Sequence, residues 1–182
     1  MDQARGTISR RADVVHGAKP SPELGSDIGP AVPRDSSVTT HWALMDTLTL
    51  AALPTAVGST RLHARIMMVE WALSDMADDV ALVVSELVTN AVVASTGMDG
   101  RPVYASAEAG LPVVHLRLCS DHSHIVVEVW DSSADAPEAR QPAPDAENGR
   151  GLLLVEALSE RWGWDRIPGW PGKVVWAILS GK

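Results

Sequence analysis

The 182-residue chain has no phenylalanine, one tyrosine, one cysteine and only three lysines. Each shortage excludes something. A single cysteine, Cys119, cannot close an internal disulfide, which fits a reducing compartment. Its alternating apolar surroundings mark it as a small buried hydrophobe rather than a reactive thiol. Three lysines and twelve scattered arginines stand against 23 acidic residues, giving a formal net charge of −8 and no basic patch. Binding to a nucleic-acid backbone, which relies on clustered cations, is disfavoured. No apolar run reaches the ~20 residues needed to span a bilayer. Arg5, Arg10 and Arg11 are not followed by an apolar stretch, so no secretory signal is read and the expected location is cytoplasmic. An anionic ligand would have to be held by backbone amides, a helix N-terminus, a metal ion or single arginines.

Hydrophobic residues still make up 46% of the chain, enough for the core of one ordinary domain. Residues 1–40 hold Pro20, Pro22, Pro30, Pro33, Gly17, Gly25 and Gly29 without helical or strand periodicity, and read as a disordered tail. The domain is expected over residues 41–182. Residues 42–53 are apolar and β-rich, a first strand ended by Pro54. Leu62, Ile66, Val69 and Leu73 recur at helical spacing, predicting an amphipathic helix over 59–73 with that stripe inward. A second helix is predicted from Ala77 or Asp78 to Ser95, with Val80, Val84, Leu87 and Ala91 along one stripe. Residues 97–112 read as a loop with a short strand near 103–105. Residues 113–118 and 125–130 form a hairpin, and 131–150 a long polar loop. Residues 151–162 read as a helix ended by Gly163, and 173–179 as a last strand. This order predicts an α+β two-layer sandwich: a mixed, mostly antiparallel sheet with helices on one face. Loops beyond ~12–15 residues are uncommon unless functional or disordered, so the 131–150 segment calls for an explanation.

Trp42, Trp71, Trp130, Trp162 and Trp176 fall in predicted elements and are expected in the core, in place of the missing phenylalanines. Trp164 and Trp170, near Pro168 and Pro171, fall in a loop and are open to a partner face. His115, His122 and His124 read as ordinary strand and turn residues, since a zinc site would want cysteines nearby.

Four short stretches could carry chemistry. On the second helix Glu86 and Asn90 lie four residues apart, about 40° around the helix from each other. A carboxylate and a carboxamide so placed can converge on one metal ion and one nucleophile, although a solvated helix edge has the same pattern. Asp131 leaves an apolar strand into Ser132 and Ser133, suited to accept a hydrogen bond from a ligand amine or to end the strand as a turn residue. Gly149-Arg150-Gly151-Leu152 opens a helix, where backbone amides, the positive helix end and a guanidinium can meet phosphate. It is neither a phosphate-loop motif nor a dinucleotide-binding one, because the required glycine and lysine positions do not match. Gly172-Lys173 opens the last strand, where glycine allows close backbone approach. Each stretch taken singly also has a purely structural reading.

In their order, the phrases ADDVALVVSELVTNAVVAS, VVEVWDSSADAPEA, ENGRGLLLVEALSERWGW and GKVVWAIL resemble the Bergerat ATP-binding fold of the GHKL superfamily. The resemblance is to histidine-kinase-like ATPases of the anti-sigma-factor serine kinase group and covers about residues 42–179. It implies ATP and Mg²⁺ as cofactors, with Asn90 holding the metal and Glu86 as catalytic base. Asp131 would take the adenine amine, and Ser133, Gly149, Arg150, Gly151, Leu152 and Lys173 would line the nucleotide. Residues 133–150 would form the lid. By the same resemblance, the partners are a sigma factor and an anti-anti-sigma factor, with a homodimer possible. The chain departs from the family pattern in three places. Val93 and Ala94 replace a basic residue or histidine after the asparagine. Val174 replaces a threonine that supports the aspartate, and Ser133 stands for a glycine. The functions implied are an ATP-dependent serine/threonine kinase or, alternatively, a non-catalytic nucleotide- or protein-binding regulator. A histidine-kinase module ranks below both, because no helix with a phosphoacceptor histidine precedes the domain.

Overall fold

The computed structural model describes residues 42–96, 112–137, 151–167 and 171–181. The expected tail, the short strand near 103–105, and Gly149 and Arg150 lie outside the described residues.

The chain enters through strand β1, Leu44–Ala51, whose alternating burial sends Leu48 and Leu50 against the core. Helix α1, Pro54–Glu70, starts five residues earlier than its sequence pattern predicts. Pro54 fits the first helical turn, where its missing N–H has no helical partner to lose. The buried side of α1 is Ala56, Thr60, Ala64 and Met68, while Leu62, Ile66 and Val69 are 61%, 49% and 65% exposed. The expected apolar stripe therefore points outward. Small residues on the packed side let α1 lie close to its neighbours, and Thr60 satisfies its buried hydroxyl by donating to the Ala56 carbonyl at 2.9 Å.

A short 3₁₀ turn, Ser74–Met76, leads into helix α2, Ala77–Ala94. Asp78 and Asp79 occupy its first turn, where carboxylates complement the positive helix end. Val80, Val83, Val84, Leu87, Val88, Ala91 and Val92 are all buried, a face wider than a single stripe, consistent with contacts to α1, to the sheet and to the third helix. Strands β2, Val113–Ser120, and β3, His124–Asp131, form the expected hairpin. Its turn is held by Asp121, whose Oδ1 accepts the N–H groups of Ser123 and His124 at 2.9 and 2.7 Å. His124 Nδ1 lies 3.1 Å from the same carboxylate, and His122 takes φ 71°.

Helix α3 runs over Gly151–Leu158 and stops four residues short of its expected end. Ser159 closes it by bonding the Val155 carbonyl through both its N–H and its hydroxyl. The chain then forms a strand that the sequence pattern did not suggest, β4, Arg161–Asp165. Trp162 and Trp164 alternate about Gly163 and both enter the core, so Trp164 is not a partner-face residue. Strand β5, Lys173–Ser180, inserts between β3 and β4, giving the order β1-β2-β3-β5-β4. Every pairing in this sheet is antiparallel.

One face of the sheet packs against all three helices in a core that includes Met68, Leu87, Leu116, Ile125, Val155, Trp162 and Leu179. The other face carries two smaller clusters. Cys119, Val126, Trp176 and Ile178 pack with Trp42, and Trp130, Ile167 and Val174 pack with Val113. Between them Arg117 and Glu128, opposite one another on β2 and β3, form a buried ion pair. The architecture is the α+β two-layer sandwich expected from the element order. No helix among the described residues is long and apolar enough to cross a membrane.

Candidate functional site

Two groups of side chains stand where chemistry was expected. The first lies between α2 and α3. Ser85 and Thr89 turn their hydroxyls back to the carbonyls of Ala81 and Ser85, at 2.8 and 2.7 Å, so these hydroxyls serve the helix itself. Glu86 and Asn90, both half-buried, lie one turn apart on the same side of α2. Glu86 reaches the first residue of α3. A Cβ added at Gly151 would sit 2.3 Å from Glu86 Oε2, so glycine is what lets the carboxylate rest against that helix start. A carboxylate beside a helix N-terminus is in a favourable field, and the same N–H groups can receive another anion.

The residues around Asn90 bear out the departures noted in the sequence. Val93 is 64% exposed one turn on, and Ala94 is half-buried, so neither contributes a cation. Leu152 is buried in the main core. Any contact it makes with a ligand would run through its backbone N–H rather than its side chain.

The second group is built on the ends of β3 and β5. Asp131, the last residue of β3, is directly opposite Lys173, the first of β5. Lys173 Nζ donates to Asp131 Oδ1 at 2.8 Å, with side chains 4% and 1% exposed. The Ser133 N–H donates to the same oxygen at 2.9 Å, and Ser133 Oγ accepts the Asp135 N–H at 3.2 Å. Farther along, Arg166 donates to the Ala134 carbonyl at 2.5 Å, tying the start of the long loop to the chain after β4. Burial is the largest influence on Asp131 and pushes its carboxyl up. Lys173 and the Ser133 N–H oppose this and Asp135 adds to it, and the net direction is upward.

Gly172 completes this corner. It has φ +86°, and a Cβ there would lie 1.9 Å from the Asp131 carbonyl oxygen. Only glycine allows the two backbones to approach so closely with that dihedral. Val174, next along, faces the other side of the sheet with Trp130 and Ile167, as strand alternation requires.

Of the residues singled out in the sequence, Glu86 and Gly151 are therefore brought together, as are Asp131, Ser133, Gly172 and Lys173. Gly149 and Arg150, expected to line phosphates, lie outside the described residues. The Asp131–Lys173 pairing was not read from the sequence. A lysine opening a mostly apolar strand signals the need for a carboxylate, though not which one. Asp121 and His124 sit at the hairpin turn, while His115 pairs with Trp130, the residue before Asp131, and packs its ring on that indole. His115 Nδ1 is 2.7 Å from Thr49 Oγ1, and burial pushes that imidazole down.

The donor set suits a magnesium nucleotide. An amide oxygen and a carboxylate one turn apart are the hard oxygen groups that such an ion takes alongside water and phosphate.

Among curated proteins none matches this chain. The family model for the histidine kinase-like ATPase domain matches residues 50–179, which runs from the end of β1 into β5 and includes Glu86, Asn90, Asp131, Gly151 and Lys173. On that match, and with the two-layer fold, the chain belongs to the family of histidine kinase-like ATPase domains, an ATP-binding fold.

Proposed function

We propose that the chain is an ATP-dependent protein serine/threonine kinase of the anti-sigma-factor type, acting on an anti-anti-sigma partner. The observation that carries this reading is Glu86, whose carboxylate rests against the first residue of α3, one turn before Asn90. That puts a proton acceptor beside the helix end where phosphate would be held, the arrangement a phosphoryl transfer to a hydroxyl needs. Mg²⁺, when bound, neutralises charge on the phosphate oxygens.

In this reading Asn90 offers its amide oxygen to the metal. Asp131 accepts the exocyclic amine of adenine, and the α3 N-terminus with Gly149, Arg150 and Gly151 holds the phosphates. Glu86 orients a serine or threonine hydroxyl of the partner and accepts its proton. The oxygen then forms a bond to the γ-phosphorus as the bond to the β-phosphate oxygen breaks, releasing ADP. The location that fits this role is cytoplasmic, and both a sigma factor and a second copy of the chain are proposed partners.

One observation favours a second reading. The exposed Val93 leaves the turn after Asn90 without a cation, which suits a regulator that binds nucleotide or protein without turnover. Calorimetric titration with ATP and Mg²⁺ should give a saturable heat that Asn90→Ala abolishes. Glu86→Gln should keep that binding while losing γ-phosphoryl transfer to the partner by roughly 100-fold or more. Absence of ATP binding by the native chain would defeat the kinase reading and leave only a protein-binding regulator. Binding without transfer, unchanged by Glu86→Gln, would leave the regulator.

A further inference from the structure

Lys173 is a lysine in an unusual position. The strand it opens is otherwise apolar and buried along most of its length, and its own side chain is 4% exposed. Desolvating an ammonium so fully is costly unless a carboxylate meets it. Asp131 does so from the directly opposite position on β3, with Nζ 2.8 Å from Oδ1. The Ser133 N–H falls on that same oxygen at 2.9 Å. Both donors thus converge on Oδ1, and neither is placed on Oδ2. Gly172, packed on the Asp131 backbone, fixes the distance between the two strand ends. The residue after Lys173 is no help to Asp131, since Val174 is apolar and packs on the opposite face.

We infer that Lys173 is the positioning residue that sets nucleobase selectivity at this site, by holding Asp131 as an ionised, acceptor-only group turned toward a 6-aminopurine and against a 6-oxopurine. The inference rests on the reading that Asp131 meets the base. An ionised carboxylate has no proton to give. It accepts from the 6-amino group of adenine and repels the 6-oxo group of hypoxanthine. Without the ammonium, a buried carboxyl with one remaining N–H donor takes up a proton and becomes a donor as well, able to bond the 6-oxo group. Lys173 Nζ bonds the Asp131 carboxylate, and through that carboxyl it acts on binding.

The test is competition between ATP and inosine triphosphate, which differ at the purine 6-position, measured by calorimetry on the full chain with Mg²⁺. The native chain should favour ATP by about 100-fold. Lys173→Met should collapse that ratio to within about threefold, by strengthening inosine triphosphate relative to ATP, and Lys173→Arg should restore most of it. A purely structural role for Lys173 would instead weaken both nucleotides alike and leave the ratio intact, and that result overturns the inference. Should Lys173→Met fail to fold, the neutral pair Asp131→Asn with Lys173→Met keeps the shape without a buried charge. Its carboxamide can donate to the 6-oxo group and accept from the neighbouring ring N–H, or flip to accept from the 6-amino group and donate to the ring nitrogen, so the preference should fall to within about threefold. Retained preference for ATP in that variant overturns the inference as well. A native chain that binds ATP and inosine triphosphate equally refutes the selectivity argument alone, whereas one that binds neither removes the ATP reading and this one with it.

Discussion

At Gly151 one hydrogen atom stands in for a side chain, and that substitution of scale governs where Glu86 can lie. An alanine Cβ would come within 2.3 Å of Glu86 Oε2 and 3.3 Å of its carboxyl carbon. The obstacle is the far end of a flexible side chain, so the carboxylate can swing aside at little cost to the fold. Gly151→Ala is expected to change unfolding free energy by less than ~1 kcal/mol and, on the kinase reading proposed above, to lower phosphoryl transfer roughly 10- to 100-fold. Thermal unfolding and turnover measured on the same preparation check the two halves; a variant with full turnover would mean that the position of Glu86 does not matter. Glu86, Asn90 and Asp131 stood out in the sequence because each sits in a short phrase whose residue types suit the role proposed for it. The partner of Asp131 did not, because the pairing of residue 131 with residue 173 depends on strand register, which one strand's letters do not carry.

Helix α1 shows how two apolar rows on one helix compete for the core. Leu62, Ile66 and Val69 have the larger side chains, yet Ala56, Thr60, Ala64 and Met68 are the ones buried. Periodicity reports that a stripe exists; it does not report how close the neighbouring element comes, and close approach favours the row with the smaller residues. Met68→Ala should therefore cost about 2–5 kcal/mol, whereas Leu62→Ser should stay within about 0.5 kcal/mol. Denaturant titration of both variants checks the orientation, and the reverse order of costs would contradict it. The same kind of ambiguity hid β4. Leu158 and Trp162, four residues apart, keep a spacing compatible with helix, but the Trp-Gly-Trp alternation of residues 162–164 has a period of two, and pairing with β5 decides it. The hairpin of β2 and β3 was readable because an apolar run, a polar turn and a second run follow one another locally. The long-range insertion of β5 between β3 and β4 has no local signal.

For the molecule as a whole, the sheet is apolar on both faces, with the helices on one and the Cys119 and Trp130 clusters on the other. Cys119 lies on β2, between β1 and β3, fully buried, bordered in register by Met45 on β1 and Val126 on β3. Burial pushes its thiol up to about 12; Glu128 adds to this and Arg117 opposes it. Both access and ionisation are thus withheld in the folded state, and disulfide-exchange reagents need the thiolate. Ellman's reagent at pH 8 should leave the native protein unmodified over hours and label one thiol per chain in denaturant. Saturating ATP should slow the native reaction further, since a ligand that binds only the folded form lowers the unfolded fraction. Rapid labelling without denaturant would contradict the placement of Cys119. Because the chain holds this one sulfhydryl, each modified molecule records a separate parting of β2 from its neighbours, and a colorimetric trace becomes a count of how often the sheet comes open.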